Sequence, residues 1–499
     1  MLKRNALFTL LCLTLAAACS KKGQTSGTTP PPKNDTTASP PGDVVGKVIV
    51  GYQAWFAAPG DGSPWNGWWH WPGSVDPNYK AWPDMRQYTG AYPSPYDTLN
   101  DGRPSTLFSD WDQQTINTQF QWMQQNGIDG AALQRFNPNS PEGPIRDGIT
   151  AKVKTAAETY TRKFYIMYDV TGWTNMETEI KTDWTGKMSA YTASSAYARQ
   201  NGKPVVCIWG FGFNDANHPF SDAACMDVVD WFKTQGCYVI GGVPREWRTG
   251  TGGSRAGYLD VYHAFDMLSP WLIGAVGSIS DADNIYTGFM VPDQADCKAN
   301  GVDYQPCVLP GDLSLHQRVH GDLMWHMFYN ATRARCQGIY ISMFDEFGEG
   351  NEIVATAETT ATVPSGTNIL GLNEDGTACS ADYYMRLTGD GDRMFKGQIA
   401  LTSTRPTPPT LTPPDSLTAQ VVSTTAVQVN WTAVTEAPCY NVKRATTSGG
   451  PYTVIATNLS GSTYTDSGLT HGTTYYYVVS TGHINGGESA DSGQANATP

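Results

Sequence analysis

One stretch of this 499-residue chain concentrates acid chemistry: Phe344-Asp345-Glu346-Phe347-Gly348-Glu349-Gly350-Asn351-Glu352 places four carboxylates within eight residues, at the end of an apolar run. The glycines let the chain turn tightly, and in a turn positions i and i+3 can face each other, which would bring Glu346 and Glu349 together. Like charges held that close raise the pKa of one of them, as a general acid at neutral pH requires. A solvated acidic loop and a Ca2+ site would use the same oxygens. Other chemistry-bearing side chains follow short β-branched or aromatic runs: Trp55, Arg135, Asp169, Trp209 and Glu246. His70, inside the Trp65–Trp71 cluster, is a further candidate substrate contact. Carboxylates and aromatics dominate, with no Ser/His/Asp order. That is the equipment of glycoside hydrolysis, in which one acid protonates the leaving oxygen while aromatic rings hold the sugar faces. His316 and His320 are expected one helical turn apart, a spacing that can bind metal, but no third ligand accompanies them and a structural role is preferred.

Something must position these groups. Between residues 45 and 345 a short β-branched or aromatic run alternates with loop and amphipathic helix. The runs are Val48–Trp55, Ile128–Phe136, Lys163–Val170, Pro204–Phe211, Cys237–Val243, Trp271–Val276, Tyr304–Leu309 and Gly338–Phe344. The clearest helix starts near Ser109, puts Ile116, Phe120 and Met123 on one face, and stops at Asn126-Gly127. The same stop recurs at Asn201-Gly202, Gln235-Gly236, Asn300-Gly301 and Gln337-Gly338; glycine there takes the left-handed conformation that ends a helix. Eight strands alternating with helices predict an α/β fold, a (β/α)8 TIM barrel over residues 45–403, with its site at the C-terminal ends of the strands. The alternative is a doubly wound open sheet, but no GxGxxG follows the first strand, so a nucleotide fold has little support. Residues 404–415 are Pro- and Thr-rich and read as a stiff linker with few contacts across it. Residues 416–499 carry short alternating strands and no helical pattern, which predicts an all-β sandwich. The single Trp431, Leu469 and Tyr475 resemble a fibronectin type III domain, with Tyr475 in the place of that fold's corner tyrosine.

Composition limits the partners. A net charge of −13 and a pI near 5.0 argue against nucleic acid. Sixteen Trp and 25 Tyr suit clefts that stack on flat apolar surfaces such as sugar rings. Lys3 and Arg4 precede an apolar run to Ala18, too short to span a bilayer, and Ala16-Ala17-Ala18-Cys19 resembles a bacterial lipobox. The expectation is a signal peptide over 1–18, lipidation at Cys19 and a flexible tether to residue 44. The protein would then be an exported outer-membrane lipoprotein, monomeric and held to the membrane by its lipid alone. Eight cysteines remain in an oxidising compartment, where disulfides are permitted; Cys297 and Cys307 are the pair closest in sequence. No spacing suggests zinc, and no cofactor is expected.

Asp345-Glu346-Phe347-Gly348-Glu349-Gly350 resembles the Asn-Glu-Trp-His-Glu-Gly segment of glycoside hydrolase family 99, the endo-α-mannosidases and endo-α-mannanases. Tyr52-Gln53-Ala54-Trp55-Phe56, with His70-Trp71, resembles that family's aromatic opening, and Met123 to Pro138 its second strand. Asp169 stands where the family has a Glu. The likeness runs over residues 48–355 and extends to the related family 71 of α-glucanases. It implies a retaining α-glycosidase acting on an oligo- or polysaccharide without a metal. In that mechanism Glu346 deprotonates the substrate's own 2-hydroxyl, which attacks C1 to give an anhydrosugar, and Glu349 is the acid/base. It adds Tyr52 and Trp71 to the candidate substrate-binding residues. Phe347 replaces a Trp, Gly348 a His and Asn351 a Thr, so the chain reads as an outlying subfamily whose sugar specificity differs. Two alternatives belong to other classes: a non-catalytic glycan-binding lipoprotein on the same barrel, and a Ca2+-dependent polysaccharide-degrading enzyme.

Overall fold

In the computed structural model, residues 39–499 are described apart from 435–436, 438 and 483–487. The signal peptide, Cys19 and the start of the tether lie outside them. Eight strands form one parallel sheet closed on itself. They are β1 (Val48–Tyr52), β2 (Gly130–Arg135), β3 (Lys163–Asp169), β4 (Lys203–Trp209), β5 (Tyr238–Val243), β6 (Met267–Pro270), β7 (two pieces, Asp303–Tyr304 and Cys307–Val308) and β8 (Ile339–Ile341). The first piece of β7 pairs with β6 and the second with β8, and β8 pairs with β1, so the ring has no open edge. The break falls at Gln305-Pro306, where proline has no N–H to give a ladder. Helices α1 (Gln113–Gln125), α2 (Gly143–Thr159), α3 (Met176–Gly186), α4 (Asp222–Thr234), α5 (Leu259–Ala264), α6 (Ile279–Ile285), α7 (Val291–Asn300), α8 (Asp322–Arg333) and α9 (Tyr383–Phe395) accompany the strands. Among the described residues no helix is long and apolar enough to cross a membrane.

The expected helix buries Ile116, Phe120 and Met123 and ends with Gly127 at φ +74°. Gly236 and Gly301 close α4 and α7 in the same way, at φ +77° and +69°. Two of the five expected stops are something else. Asn201-Gly202 turns a hairpin between Arg199–Gln200 and β4, and the left-handed residue after α8 is Arg335, not Gly338. The sixth strand is Met267–Pro270 and not Trp271–Val276, which forms the loop after it. His316 and His320 are not one helical turn apart: both have positive φ in short 3-10 turns ahead of α8.

The ends of the barrel domain are more tightly held than composition implied. Val44 and Val45 are fully buried, and their amides donate to Gln200 Oε1 at 3.4 and 3.1 Å, so the final residues of the tether belong to the barrel's base. The Pro-rich linker does not run free. Arg405 Nε donates to Asp322 (2.8 Å), Thr407 Oγ1 to Asp390 (2.5 Å), Arg386 Nη1 to the Pro408 carbonyl (3.0 Å), and the Ser380 amide to the Pro409 carbonyl (3.0 Å). These bonds strap residues 405–409 across the start of α8 and along α9.

The C-terminal region is a two-sheet all-β sandwich. One sheet holds β9 (Asp415–Ser423), β10 (Ala426–Thr432) and β13 (Thr463–Ser467); the other holds β12 (Thr453–Leu459), β11 (Cys439–Ala445), β14 (Tyr475–Gly482) and β15 (Ala495–Ala497). Val427, Val429, Trp431, Tyr440, Val442, Tyr477 and Val479 fill the space between them. The Tyr475 hydroxyl accepts from the Thr470 amide at 3.0 Å, the bond that makes a tyrosine corner. All eight cysteines of the described residues are free thiols, and all are buried.

Candidate active site

Side chains alternate along a strand between the barrel interior and the helix layer, and that parity sorts the candidates. Gln53, Gln134, Asp169 and Trp209 come from the C-terminal ends of β1 to β4 and line a cavity of about 330 Å³. Trp55, Phe136, Thr171, Trp271, Ile273, Ser342, Met343, Glu346, Glu349 and Asn351 complete its wall. Tyr52 and Arg135, each one position from an inward residue, face the helix layer. Tyr52 packs edge-on against Phe120 of α1 and hydrogen-bonds Gln119. Arg135, 1% exposed, is held by Asp183 of α3 and by Asp147. Neither lines the cavity.

The acidic loop divides its work. Asp345 is fully buried and accepts the backbone amides of Gln53 (2.9 Å) and Ala54 (2.8 Å), fastening the end of β8 to the end of β1. Glu352 is buried against Arg318 at 2.8 Å. The same guanidinium donates to the carbonyls of Gly311 (3.1 Å), Gly350 (2.8 Å) and Glu352 (3.1 Å), pinning the whole turn. That leaves Glu346 and Glu349 facing the cavity. Glu346 is 5% exposed and accepts Gln53 Nε2 at 2.9 Å. Burial, then the charges of Glu349 and Asp345, push its carboxyl up to about 8. Glu349 lies at the exposed rim. The expected pair is present, but the carboxyl that carries the raised pKa is Glu346, the more buried one. A Cβ at Gly348 would sit 3.4 Å from Glu346 Oε1, so glycine leaves open the space beside that oxygen.

Across the cavity Asp169 is 9% exposed and raised by burial. The Thr171 amide donates to it at 2.9 Å, and the Thr171 hydroxyl meets His218 Nε2 at 3.1 Å, with His218 Nδ1 on Asp215 at 2.8 Å. Trp209 lies directly over Gly242, where any Cβ would collide with the indole at 2.3 Å, and it meets Trp271 edge-on at 5.2 Å. Trp55 is sandwiched between His70 (3.7 Å, 11°) and Phe136 (6.0 Å, 14°). His70 therefore stands behind Trp55 and beside Glu142, at 3.7 Å, and is not part of the wall; burial lowers its pKa. Trp71 is buried too, donating to the Phe108 carbonyl at 2.7 Å and stacking on Phe56. Glu246 is paired with Arg245 in a second depression of about 250 Å³, which shares Trp271 and Ile273 with the first.

Five buried polar atoms have no hydrogen-bond partner and belong to residues of the cavity wall: Gln53 Oε1, Gln134 Oε1, Trp55 Nε1, Trp209 Nε1 and Ser342 Oγ. An unmade buried hydrogen bond costs about 1–3 kcal/mol. A cavity that concentrates donors and acceptors in this way is suited to a ligand bearing several hydroxyls between flat apolar faces. Sequence reasoning missed Gln53, Gln134, Thr171, Trp271, Ile273, Ser342 and Met343. The alternation of the strands would have found the first two. Among the described residues no group of three or more His, Cys, Asp or Glu side chains is placed to hold a metal. Asp345 and Glu352 are committed to backbone amides and to Arg318, and His316 and His320 bind Glu374 and Asp375. Asp345, Glu352, His316 and His320 are thus built as supports.

No known family profile matches the chain. Two curated proteins match short stretches. An amylopullulanase of Thermoanaerobacter thermohydrosulfuricus is 41% identical over 73 residues, 15% of this chain and 5% of its own length. A poly(3-hydroxybutyrate) depolymerase of Ralstonia pickettii is 38% identical over 85 residues, 17% of this chain and 16% of its own. This chain thus spans only a small part of either relative. Among solved structures, a fibronectin type III-like protein of Clostridium thermocellum is 45% identical over 17% of this chain and 88% of its own, with a TM-score of 0.16. The GH99 endo-alpha-mannosidase of Bacteroides thetaiotaomicron superposes over 71% of this chain and 99% of its own, at 16% identity and a TM-score of 0.51. The same enzyme in complex with bis-tris-propane superposes at a TM-score of 0.52 and 15% identity. The chain is thus a TIM barrel with the fold of the GH99 endo-alpha-mannosidase structures, followed by a fibronectin type III-like all-β domain.

Proposed function

We propose that this protein is a glycoside hydrolase that cleaves α-linked glycans, mannan-like or related polysaccharides, with retention. The observation that carries the reading is the cavity itself. It joins Glu346 and Glu349 to three indoles, Trp55, Trp209 and Trp271, and to five unpaired polar atoms at the C-terminal ends of the strands, where a TIM barrel keeps its chemistry. The barrel fold shared with the GH99 endo-alpha-mannosidase structures supports it. In the mechanism we assign, Glu346 takes the proton of the sugar 2-hydroxyl as that oxygen attacks C1, and Glu349 gives its proton to the leaving oxygen. An anhydrosugar results. Water then opens it with Glu349 as base, and Glu346 returns the proton to O2. The electrostatics suit this division. A carboxylate whose acid has been pushed up to about 8 is a stronger base than a free one, so taking a proton from a hydroxyl is less uphill. Glu349, left as a carboxylate by the first step, is at the exposed rim where the incoming water arrives and can take that water's proton in the second. Asp169 faces the pair from β3 and is positioned to bind a sugar hydroxyl, and the depression at Glu246 extends the cleft beyond Trp271.

The test is an array of α-mannans, α-glucans and plant-wall glycans, with released reducing ends as the readout. Release from an α-linked polymer, abolished in E346Q, is the expected result. Binding without release would instead make this a glycan-binding barrel. We also propose that the chain is exported and anchored through lipid on Cys19, with the C-terminal sandwich as a spacer or docking module. The variant C19A should leave the membrane fraction, and sedimentation with membranes despite the change would refute the anchor.

A further inference from the structure

Gln53 is tied into the site at three points. Its backbone amide donates to Asp345 at 2.9 Å, and its side-chain Nε2 donates to Glu346 Oε2 at 2.9 Å. Its Oε1 is buried in the cavity wall with no partner. The next residue, Ala54, has φ +44° and gives its own amide to the second Asp345 oxygen at 2.8 Å. The main chain at this point is therefore held by two bonds and cannot carry the amide away from Glu346.

An amide has a donor end and an acceptor end, and turning it over exchanges them. With the nitrogen toward Glu346, the amide donates to a carboxyl oxygen, a bond that is stronger to the ionised carboxylate than to the neutral acid, and it shows an acceptor to the cavity. With the oxygen toward Glu346, the amide needs a proton on Glu346 and shows a donor to the cavity. We infer that Gln53 is a positioning residue for Glu346: a sugar hydroxyl that donates to Gln53 Oε1 fixes the amide with its N–H on Glu346 and thereby favours the ionised base. The inference rests on the hydrolase reading and deepens it, because the substrate would then help to prepare the group that attacks it. Its ligand is a hydroxyl free to donate, so a sugar O-methylated or O-acylated at that position would lose the effect.

The groups that face Glu346 set the background. Glu349, Asp345 and Glu352 share its loop, Tyr79 approaches from the loop after β1, and Asp169 closes the cavity from β3. All but Tyr79 are carboxyls, and each one ionised disfavours a further charge on Glu346. The Gln53 N–H is the one hydrogen bond that opposes this. Losing a hydrogen bond to a charged carboxylate should move its titration up by about one pH unit.

The test compares wild type with Q53L and Q53E, using release of reducing ends from the polysaccharide that the array identifies. In wild type the acid limb of kcat/KM should follow Glu346. In Q53L that limb should move up by about one unit, so that kcat/KM falls about tenfold at neutral pH while kcat recovers at alkaline pH. In Q53E the added carboxylate should move it further. A limb that stays in place, or a loss equal at every pH, would show that Gln53 only packs the wall. A second readout needs no substrate: the gain in Tm that E346Q brings at pH 9 should be larger in the Q53L background than in wild type. An unchanged gain overturns the inference. If wild type hydrolyses nothing, it is the hydrolase reading that fails, and the melting comparison still decides whether Gln53 governs the charge of Glu346.

Discussion

Glu346→Gln is the substitution on which the structure makes its sharpest quantitative statement, and it concerns stability before catalysis. In the fold the Glu346 carboxyl is pushed from its ordinary 4.5 up to about 8. Between those values the unfolded chain has released its proton while the folded protein keeps it, so the folded state binds more protons and stability falls as pH rises. The group costs nothing near pH 4. Three and a half units of displacement correspond to about 5 kcal/mol once pH exceeds 8, and to about 3 kcal/mol at pH 7. Glutamine keeps the shape and an acceptor for Gln53 Nε2, and it has no proton to lose. The neighbouring Asp345, raised to about 7, is present in both proteins and cancels to first order. E346Q should therefore match wild type near pH 4 and melt progressively above it as pH rises. For a domain of this size 1 kcal/mol is worth about 1–2 °C, giving a gap of about 4 °C at pH 7. Scanning calorimetry from pH 4 to 9 on the two proteins reads this directly. A gap that is flat across pH, or one that closes toward pH 8, would mean that Glu346 is ionised at neutral pH, and the assignment of a perturbed base would fall with it.

Other expectations follow from the same geometry. E349Q should cripple substrates with poor leaving groups by about 10²–10⁴-fold and activated aryl glycosides far less, measured as kcat; equal losses on both would take the proton-donor role from Glu349. The acid limb of wild-type kcat/KM should lie near 8, whereas a fall in kcat/KM through that pH would make Glu346 the proton donor. R318M strands buried Glu352 and releases two carbonyls of the acidic turn and that of Gly311, so it should cost about 3–5 kcal/mol in denaturant titration, with kcat falling as well. Ending the chain after residue 403 should lower Tm more than ending it after residue 412, because only the longer form keeps the strap on α8 and α9. Both should retain wild-type kcat on a soluble substrate.

The barrel was legible because its strands advertise themselves. Runs such as Phe164–Tyr168 and Cys237–Val243 are buried on both faces and therefore apolar without interruption. Seven strands were found that way. The sixth, Met267–Pro270, is four residues long, and the more apolar Trp271–Val276 beside it drew the assignment because it is the loop that lines the cleft. The acidic turn was legible from its glycines and four carboxylates. Which acids face the cavity was not, because that depends on Arg318, far away in sequence, and on amides at the end of β1. Arg135 stood out by residue type and position after a strand, His70 by its place in the Trp65–Trp71 cluster, and Tyr52 and Trp71 by resemblance to a family's aromatic opening. The alternation that separates Gln134 from Arg135 sends Arg135 to α3 and Gln134 to the cavity, and it was available to read. The docking of the Pro-rich strap was invisible, since Arg405 and Thr407 gain partners only once α8 and α9 are in place.

The eight buried thiols give the molecule a built-in clock. Burial pushes these thiols up, Cys237, Cys307 and Cys379 to about 12, and only the thiolate reacts with alkylating reagents. In the native state each sulfur is therefore both hidden and protonated, and it becomes visible to iodoacetamide when its surroundings open. Seven lie in the barrel domain and one, Cys439, in the sandwich. Alkylation followed by peptide mapping would thus time the opening of each domain separately, with no engineered label.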